Sequence, residues 1–378
     1  MGGVYIKSVG IVPVGEYWEK SLADLMVEAA LKALSEAGEV RIDKIVVGNM
    51  MSGYLNHQEH LGALLASSLG MKGVEALKVE AACGSGGMAV HEGYVSVKSG
   101  EYENVLVVGV EKMKDADTST LTKGLAMAES ADFTQSVGAS FISLNAMLMR
   151  MYMNRYNVSE EYLDYFPYIA HKNGVTSPHA QFKRAFTLED IKRSPYIAEP
   201  IRLLSSAPSS DGAAAVILTS KPSDVEILAS EVSTNELMLT QRENPLKFEA
   251  TERAFKKAVQ RANVDPKSID FLEIHDAFPV VTALSLEAMG YSQEGQAGLD
   301  ASKGKYDLNG EYPIATFGGL KARGHPVGGT GVYQIAEAYL HLTNRAGKNQ
   351  VQGAKLGLTQ NVGGIDTTSV VHILRRVE

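Results

Sequence analysis

A single cysteine stands among 378 residues, inside Val79-Glu80-Ala81-Ala82-Cys83-Gly84-Ser85-Gly86-Gly87-Met88. Ahead of it, residues 74–82 hold a short apolar run suited to a buried strand. Behind it, Met88, Ala89, Val90, Tyr94, Val95 and Val97 follow a helical spacing that stops at Ser99-Gly100. Cys83 is therefore expected at a strand-to-helix corner, where free N–H groups and the positive end of the helix dipole favour a thiolate. Nucleophiles of acyl transfer are presented at such corners. Three more segments put polar residues at strand ends or in glycine loops. They are Glu273-Ile274-His275-Asp276-Ala277-Phe278-Pro279, the stretch 317–329 with Gly324-His325-Pro326-Val327-Gly328-Gly329, and Gln360-Asn361-Val362-Gly363-Gly364-Ile365. Histidine supplies a proton carrier, and a glycine turn between strands can present backbone donors to an oxyanion.

The cysteine corner is open to two other uses. A lone cysteine is commonly a small buried hydrophobe. Gly84-Ser85-Gly86-Gly87-Met88-Ala89 also matches G-x-G-x-x-A after a strand, with Glu111 as the following acid of a dinucleotide site. His57, His60 and His91 are read as loop, helix-start and packing residues, and Met147, Met149, Met151 and Met153 as core or an acyl-pocket wall.

The elements that must carry these segments are legible. Residues 5–14 read as a strand. Ser21 caps an amphipathic helix with Leu22, Leu25, Met26, Ala29, Ala30, Ala33 and Leu34 on one face and Gly38 as its stop. Strands at 42–48 and 104–110 bracket a helix at 60–69 and the Cys83 corner. Apolar strands alternating with helices indicate a mostly parallel sheet covered on both faces. Residues 115–204 break this rhythm and read as an inserted, largely helical subdomain. Ala213-Ala214-Ala215-Val216-Ile217-Leu218 resumes the sheet, and Lys221-Pro222-Ser223-Asp224 reads as a hinge. The second half then restarts the first. A helix over 251–262 precedes Ile269-Asp270, as the first helix precedes Ile42-Asp43, and Gly329-Thr330-Gly331 repeats Gly84-Ser85-Gly86. A final hairpin is expected from 355–359 and 368–374. Recurrence of the glycine corner without its G-x-G-x-x-A pattern weighs against the dinucleotide reading.

A hydrophobic content of 45%, a charged content of 21% and a formal net charge of −8 describe an ordinary soluble globular protein with no feature that calls for nucleic acid or an anionic membrane. One cysteine excludes an internal disulfide and a multi-cysteine metal site, and no metal is expected. The first residues lack a signal-peptide core and the last lack a peroxisomal address, so the expected compartment is the cytoplasm.

Ala-Ala-Cys83-Gly-Ser-Gly, His275-Asp-Ala-Phe, Gly-His325-Pro-Val-Gly-Gly and Asn361-Val-Gly363 resemble, in order, the four active-site loops of thiolases. The likeness is to the sterol-carrier-protein type and its archaeal and bacterial acetyl-CoA acetyltransferase relatives, through His-Asp-x-Phe in place of the more common Asn-Glu-x-Phe. Ser177-Pro178-His179-Ala180-Gln181-Phe182, residues 187–191 and Ser210-Asp211-Gly212 extend it over nearly the whole chain. The resemblance implies an α/β thiolase fold of two duplicated halves in five layers, αβαβα. The halves would be 1–222, including a loop domain at about 115–204, and 223–378. It implies that Cys83 attacks an acyl-CoA thioester, His325 takes its proton, and the N–H groups of Cys83 and Gly363 hold the oxyanion. His275 and His325 would polarise the second thioester, and Ala277, Phe278 and Ala207-Pro208-Ser209 would lie along the pantetheine.

The implied reaction is condensation of two acetyl-CoA to acetoacetyl-CoA, or the reverse thiolysis. No cofactor is implied beyond the coenzyme A carried by substrate and product. The implied assembly is a homodimer or homotetramer, with a complex containing a zinc-bearing OB-fold bridging protein and 3-hydroxy-3-methylglutaryl-CoA synthase as a further possibility. The sequence departs from the family at two positions. Asn361 stands where most thiolases carry a second cysteine that moves the α-proton, and Ala277 stands where the sterol-carrier type carries one. The α-proton base is thus left open, with His325 serving both half-reactions and His275 as electrophile the favoured assignment. A decarboxylating 3-oxoacyl synthase and a non-catalytic scaffold homologue are the alternatives.

Overall fold

Alternation within each strand builds this molecule's layers. In the computed structural model, which describes residues 2–378, the strands are β1 (Tyr5–Ile11), β2 (Lys44–Gly48), β3 (Glu75–Val79), β4 (Asn104–Glu111), β5 (Tyr196–Ala198), β6 (Ile201–Arg202), β7 (Gly212–Thr219), β8 (Val225–Thr234), β9 (Phe271–Glu273), β10 (Leu356–Gly363) and β11 (Thr368–Arg376). Ile45, Val47, Leu106 and Val108 face one way, into a core with Leu22, Leu25, Ala29 and Ala33 of the helix Leu22–Ala37. Val46, Val105 and Val107 face the other way, toward the helices Ser85–Ser99 and Thr330–Leu342. Opposite faces of a strand are read by alternate residues, so a strand apolar throughout is one covered on both sides.

The second half repeats the plan. Phe271 and Leu374 point at the same central helices, whereas Leu272, Leu358 and Ile373 meet Ala254, Phe255 and Ala258 of the outer helix Glu249–Ala262. The sheet order is β3-β2-β4-β7-β1-β8-β11-β10-β9. Read outward from the β1–β8 junction, β1-β7-β4-β2 on one side mirrors β8-β11-β10-β9 on the other. Tyr5↔Glu226 and Ile6↔Val225 pair across that junction, and the Ile227 N–H donates to the Val4 carbonyl at 2.8 Å. The two halves of this continuous sheet, each covered by outer helices and separated by a shared helical layer, give the five layers expected, αβαβα.

The sheet is not mostly parallel, as the alternation of strands and helices suggested. Parallel pairing is confined to β2–β3, β2–β4 and β9–β10. The pairs β4–β7, β1–β7, β10–β11 and β8–β11 are antiparallel. The cause is local for β10 and β11, which are joined by the tight turn after Gly363. A short turn can only return the chain antiparallel.

The inserted stretch between β4 and β7 is largely helical. It includes the helices Phe141–Tyr156 and Tyr165–Gly174 and the small β5–β6 hairpin. Its apolar side, with Leu148, Met149, Tyr152, Phe166 and Ile169, packs on Val280 and Leu284 of the helix Pro279–Ala288 in the second half. Met147 and Met151, expected in the core or an acyl-pocket wall, are exposed because the helix Phe141–Tyr156 offers only one face to the second half.

The two central helices begin almost in contact. A Cβ on Gly86 would lie 2.8 Å from the Gly331 nitrogen, and one on Gly331 would collide with the Gly87 nitrogen and the Asn361 side chain. We expect Gly331→Ala to lower unfolding stability by about 1–3 kcal/mol in urea, because backbone cannot yield to an added methyl group. Gly15→Ala, whose methyl meets nothing nearer than 3.9 Å, should stay within about 0.5 kcal/mol of the parent.

Candidate active site

Cys83 closes the corner between β3 and the helix Ser85–Ser99. The turn is tight: Ala82 adopts a left-handed backbone at φ 50°, and the Gly84 N–H returns to the Ala81 carbonyl at 2.9 Å. A side-chain-bearing residue at positive φ is strained, and here it turns the cysteine inward. Ser85 secures the corner by donating its hydroxyl to the Ala82 carbonyl at 2.6 Å and accepting from the Ala81 N–H at 2.9 Å. The glycines after Cys83 are filled by protein. Gly84 meets Gly363, Gly86 meets Gly331 and Gly87 meets Asn361, so no space for a pyrophosphate remains there.

The histidines come from the other half. His275 follows β9, and its backbone N–H donates to Gln360 Oε1 at 2.9 Å. Gln360 is itself held through Nε2 by Thr251 and Ser285. His325 precedes the second central helix. Its N–H donates to Ser210 Oγ at 3.1 Å, and its Nδ1 lies 2.7 Å from Thr330 Oγ1. The sulfur of Cys83 and one ring nitrogen from each of His275 and His325 lie within 4.8 Å of one another. The two rings meet edge to face, with centroids 5.2 Å apart. These three side chains, distant in sequence, are 3%, 3% and 8% exposed, so their chemistry is shielded from bulk water.

Asn361, on β10, joins the two halves at this point. Its Oδ1 accepts from the Gly87 N–H at 3.0 Å, and its Nδ2 reaches the Cys83 carbonyl and His275 Nδ1, each at 3.2 Å. Gly363 packs its backbone against Ala81 and Gly84. The N–H that meets the Cys83 sulfur, beside that of Cys83 itself, is the neighbouring Gly364's. Along the expected pantetheine path, the Ala207 N–H donates to the Ala277 carbonyl at 2.9 Å, and Ser209 pairs as a short parallel bridge with His325. Pro208 lies between them, its carbonyl 3.3 Å from Ser210 Oγ. The Phe278 ring lies 6.4 Å from that of Phe141 of the inserted stretch.

Electrostatics corrects one sequence expectation. The Cys83 thiol is pushed up to about 12 by burial first and by the Glu111 carboxylate second, outweighing the backbone N–H groups that oppose them. Burial also holds His275 down to about 3, helped by Arg323 and Lys321, and holds His325 well below the usual histidine range, helped by His275 and Arg323. The resting triad is therefore neutral, a thiol beside two uncharged imidazoles.

Several residues behind the triad were not singled out for this task by sequence. Glu111, ending an apolar strand, is fully buried and accepts from Asn49 Nδ2, the Met50 and Met51 N–H groups and the Gly328 N–H, tying both halves together. Asp276 accepts from the Leu320 N–H at 2.7 Å and pairs with buried Lys321 at 3.2 Å, locking the two histidine loops to each other. Buried Arg323 pairs with Glu337 at 2.6 Å, and Glu337 also meets His179 at 2.8 Å. The available signal was a charged residue inside an otherwise apolar or glycine-rich run.

Comparison with known proteins agrees with this architecture. A family model described as "Thiolase, N-terminal domain" matches residues 13–222, and one described as "Thiolase C-terminal domain-like" matches residues 231–376. The chain belongs to the thiolase family. It is 38% identical over 387 residues to an acetyl-CoA acetyltransferase of Methanothermobacter thermautotrophicus, covering all of both chains. It is 30% identical over 360 residues to sterol carrier protein 2 of Bos taurus, covering 90% of this chain and 66% of that one. Among solved structures, the Ltp2-ChsH2(DUF35) aldolase superposes with a TM-score of 0.86 at 21% identity, covering 99% of this chain and 98% of that chain, a likeness of fold.

A neutral pair makes a specific demand on reactivity. Alkylation of Cys83 by iodoacetamide without substrate should rise steadily from pH 6 to 9, since only the scarce thiolate reacts. A rate already level near pH 6 would reveal a preformed thiolate–imidazolium pair and contradict this electrostatic account.

Proposed function

We propose that the protein is an acetyl-CoA C-acetyltransferase that joins two acetyl-CoA into acetoacetyl-CoA and free CoA, and that catalyses the reverse thiolysis. The observation that carries this reading is the meeting of Cys83, His275 and His325 within 4.8 Å at the seam of the two halves. Because the resting cysteine is a thiol, its proton must leave as the sulfur attacks. His325 is suited to take it, since its Nδ1 is engaged by Thr330 and its Nε2 is free to face the sulfur.

The Cys83 sulfur attacks the thioester carbon as His325 Nε2 receives the thiol proton. The oxyanion is held by the N–H groups of Cys83 and the Gly363-Gly364 turn. The bond to CoA sulfur then breaks, and His325 returns the proton to the departing CoA thiolate, leaving acetyl-Cys83. In the second half, His325 removes a methyl proton from another acetyl-CoA while His275 steadies the enolate oxygen. The carbon attacks acetyl-Cys83, the carbon–sulfur bond breaks, and the proton passes back to Cys83. In this reading one base, His325, serves both halves, since neither Asn361 nor Ala277 supplies a second thiol. Ala207, Pro208, Ser209, Ala277 and Phe278 form the pantetheine wall in this reading.

The assembly we propose is a homo-oligomer. β3 is an edge strand, partly exposed, and it runs into the Cys83 corner, so a second copy could pair along it. The functional halves are 1–222 and 223–378, with the loop domain at about 115–204. A complex with a zinc-bearing OB-fold bridging protein and 3-hydroxy-3-methylglutaryl-CoA synthase belongs to the proposal. Among the described residues no helix is long and apolar enough to cross a membrane, and the cytoplasm is the proposed compartment.

Intact mass after mixing with acetyl-CoA should show one acetyl group on the parent protein and none on Cys83→Ala. An unmodified, folded parent protein would overturn the reading. His325→Ala should slow acetylation by ~10²–10⁴-fold. His275→Ala should slow exchange of acetyl-CoA methyl protons with deuterium by ~10²–10³-fold, whereas His275→Asn, which retains an N–H, should stay within about tenfold of the parent. Loss of exchange in His275→Asn with normal acetylation would make His275 the base.

A further inference from the structure

The Asn361 side chain has only one orientation that satisfies its surroundings. A backbone N–H, that of Gly87, points at one end of the amide, and a backbone carbonyl, that of Cys83, lies at the other. The first must meet an oxygen and the second an N–H, so Oδ1 faces Gly87 and Nδ2 faces Cys83. The second hydrogen of the same NH₂ group is then aimed at His275 Nδ1, 3.2 Å away. Two N–H groups cannot bond to each other. His275 Nδ1 must therefore be the bare nitrogen, and the ring's one hydrogen must sit on Nε2. Burial and the nearby Arg323 and Lys321 cations keep the ring from taking a second proton.

This matters because the same three side chains form a set that a soft divalent cation could use. One cysteine sulfur and two imidazoles at this spacing are the ligand types of a zinc site with an open position. A metal needs the lone pair of a neutral imidazole nitrogen. His325 has such a lone pair on Nε2 when its Nδ1–H is accepted by Thr330, whose own hydroxyl lies 3.4 Å from the Pro326 carbonyl. His275 Nε2 carries a hydrogen instead.

We propose that Asn361 is a positioning residue that fixes His275 as its Nε2–H tautomer, making it a hydrogen-bond donor to a substrate oxygen and withholding it from metal. The substrate part rests on the thiolase reading; the tautomer and the metal part do not. The second ring nitrogen is what decides a histidine's role, and here a side-chain amide from the last glycine turn decides it.

The test begins with the parent protein carrying ¹⁵N-labelled histidine, the His275 signals being identified by their loss in His275→Asn. Their coupling pattern should report a neutral ring protonated at Nε2 throughout pH 6–8. A ring protonated at Nδ1, or an imidazolium, would overturn the proposal whatever the protein's activity. In Asn361→Asp, a carboxylate in place of the NH₂ group should draw a proton to Nδ1, and the coupling pattern should change accordingly. Zn²⁺ binding by equilibrium dialysis should tighten at least about tenfold in that variant and be lost when Cys83→Ser is added. An unchanged coupling pattern or unchanged Zn²⁺ affinity in folded Asn361→Asp would refute the assignment. Acetylation of Cys83 in the parent protein is read separately by mass, so failure of the thiolase reading would be visible on its own.

Discussion

The close approach of two helix starts is the constraint on which this structure depends. Helix N-termini present unsatisfied N–H groups and a positive dipole end, and bringing two together is unfavourable unless something negative or accepting lies between them. Glycine permits the approach, because Gly86 on one side meets the backbone of Gly328 and Gly331 on the other, and Gly331 in turn meets the backbone of Gly86 and Gly87. Acceptors then satisfy it. Asn361 Oδ1 takes the Gly87 N–H, and buried Glu111 takes the Gly328 N–H. Duplication of a half-domain thus does more than double the core, since the seam between the copies is where Cys83, from one half, meets His275 and His325, from the other.

The seam is buried, and that sets the chemistry. In an environment this buried, a charge without a partner is costly, so the titratable groups divide into two kinds. Lys321 with Asp276 and Arg323 with Glu337 are paired and serve as fixed struts under the histidine loops. Cys83, His275 and His325 are unpaired and rest uncharged. A resting thiolate would be stabilised by the helix dipole by up to ~2 kcal/mol, too little to offset full burial beside a carboxylate. Charge in such a site belongs to the reaction rather than to the resting protein.

Much of the framework was open to reading from the sequence. The capped helix from Ser21 to Gly38 appears with Ser21 and Asp24 forming a reciprocal cap. The restarted half appears as two mirrored sets of strands. The four loops carrying Cys83, His275, His325 and Asn361 could be picked out because glycine and polar residues interrupt apolar runs there. The strand directions could not be read, because a buried strand is equally apolar whether its neighbour runs parallel or antiparallel. Nor could Glu111 be seen as a link between halves. Its acceptor role depends on Gly328, far along the chain, and no local pattern encodes that distance.

By itself the sequence determined which residues can act, through types and local punctuation: one thiol, a few histidines in glycine-rich surroundings, and helices and strands of fixed period. Local geometry is encoded locally, because caps, turns and amphipathic faces involve neighbours within a few positions. Only the tertiary structure decided what those residues are in the resting state. Protonation and tautomer follow from burial and from partners brought together by folding: Glu111 and the enclosed corner make Cys83 a thiol, and Asn361, reaching across the seam, fixes the hydrogen on His275. Solvent exclusion and contact between distant segments are properties of the folded volume, so they cannot be read from any stretch of chain alone.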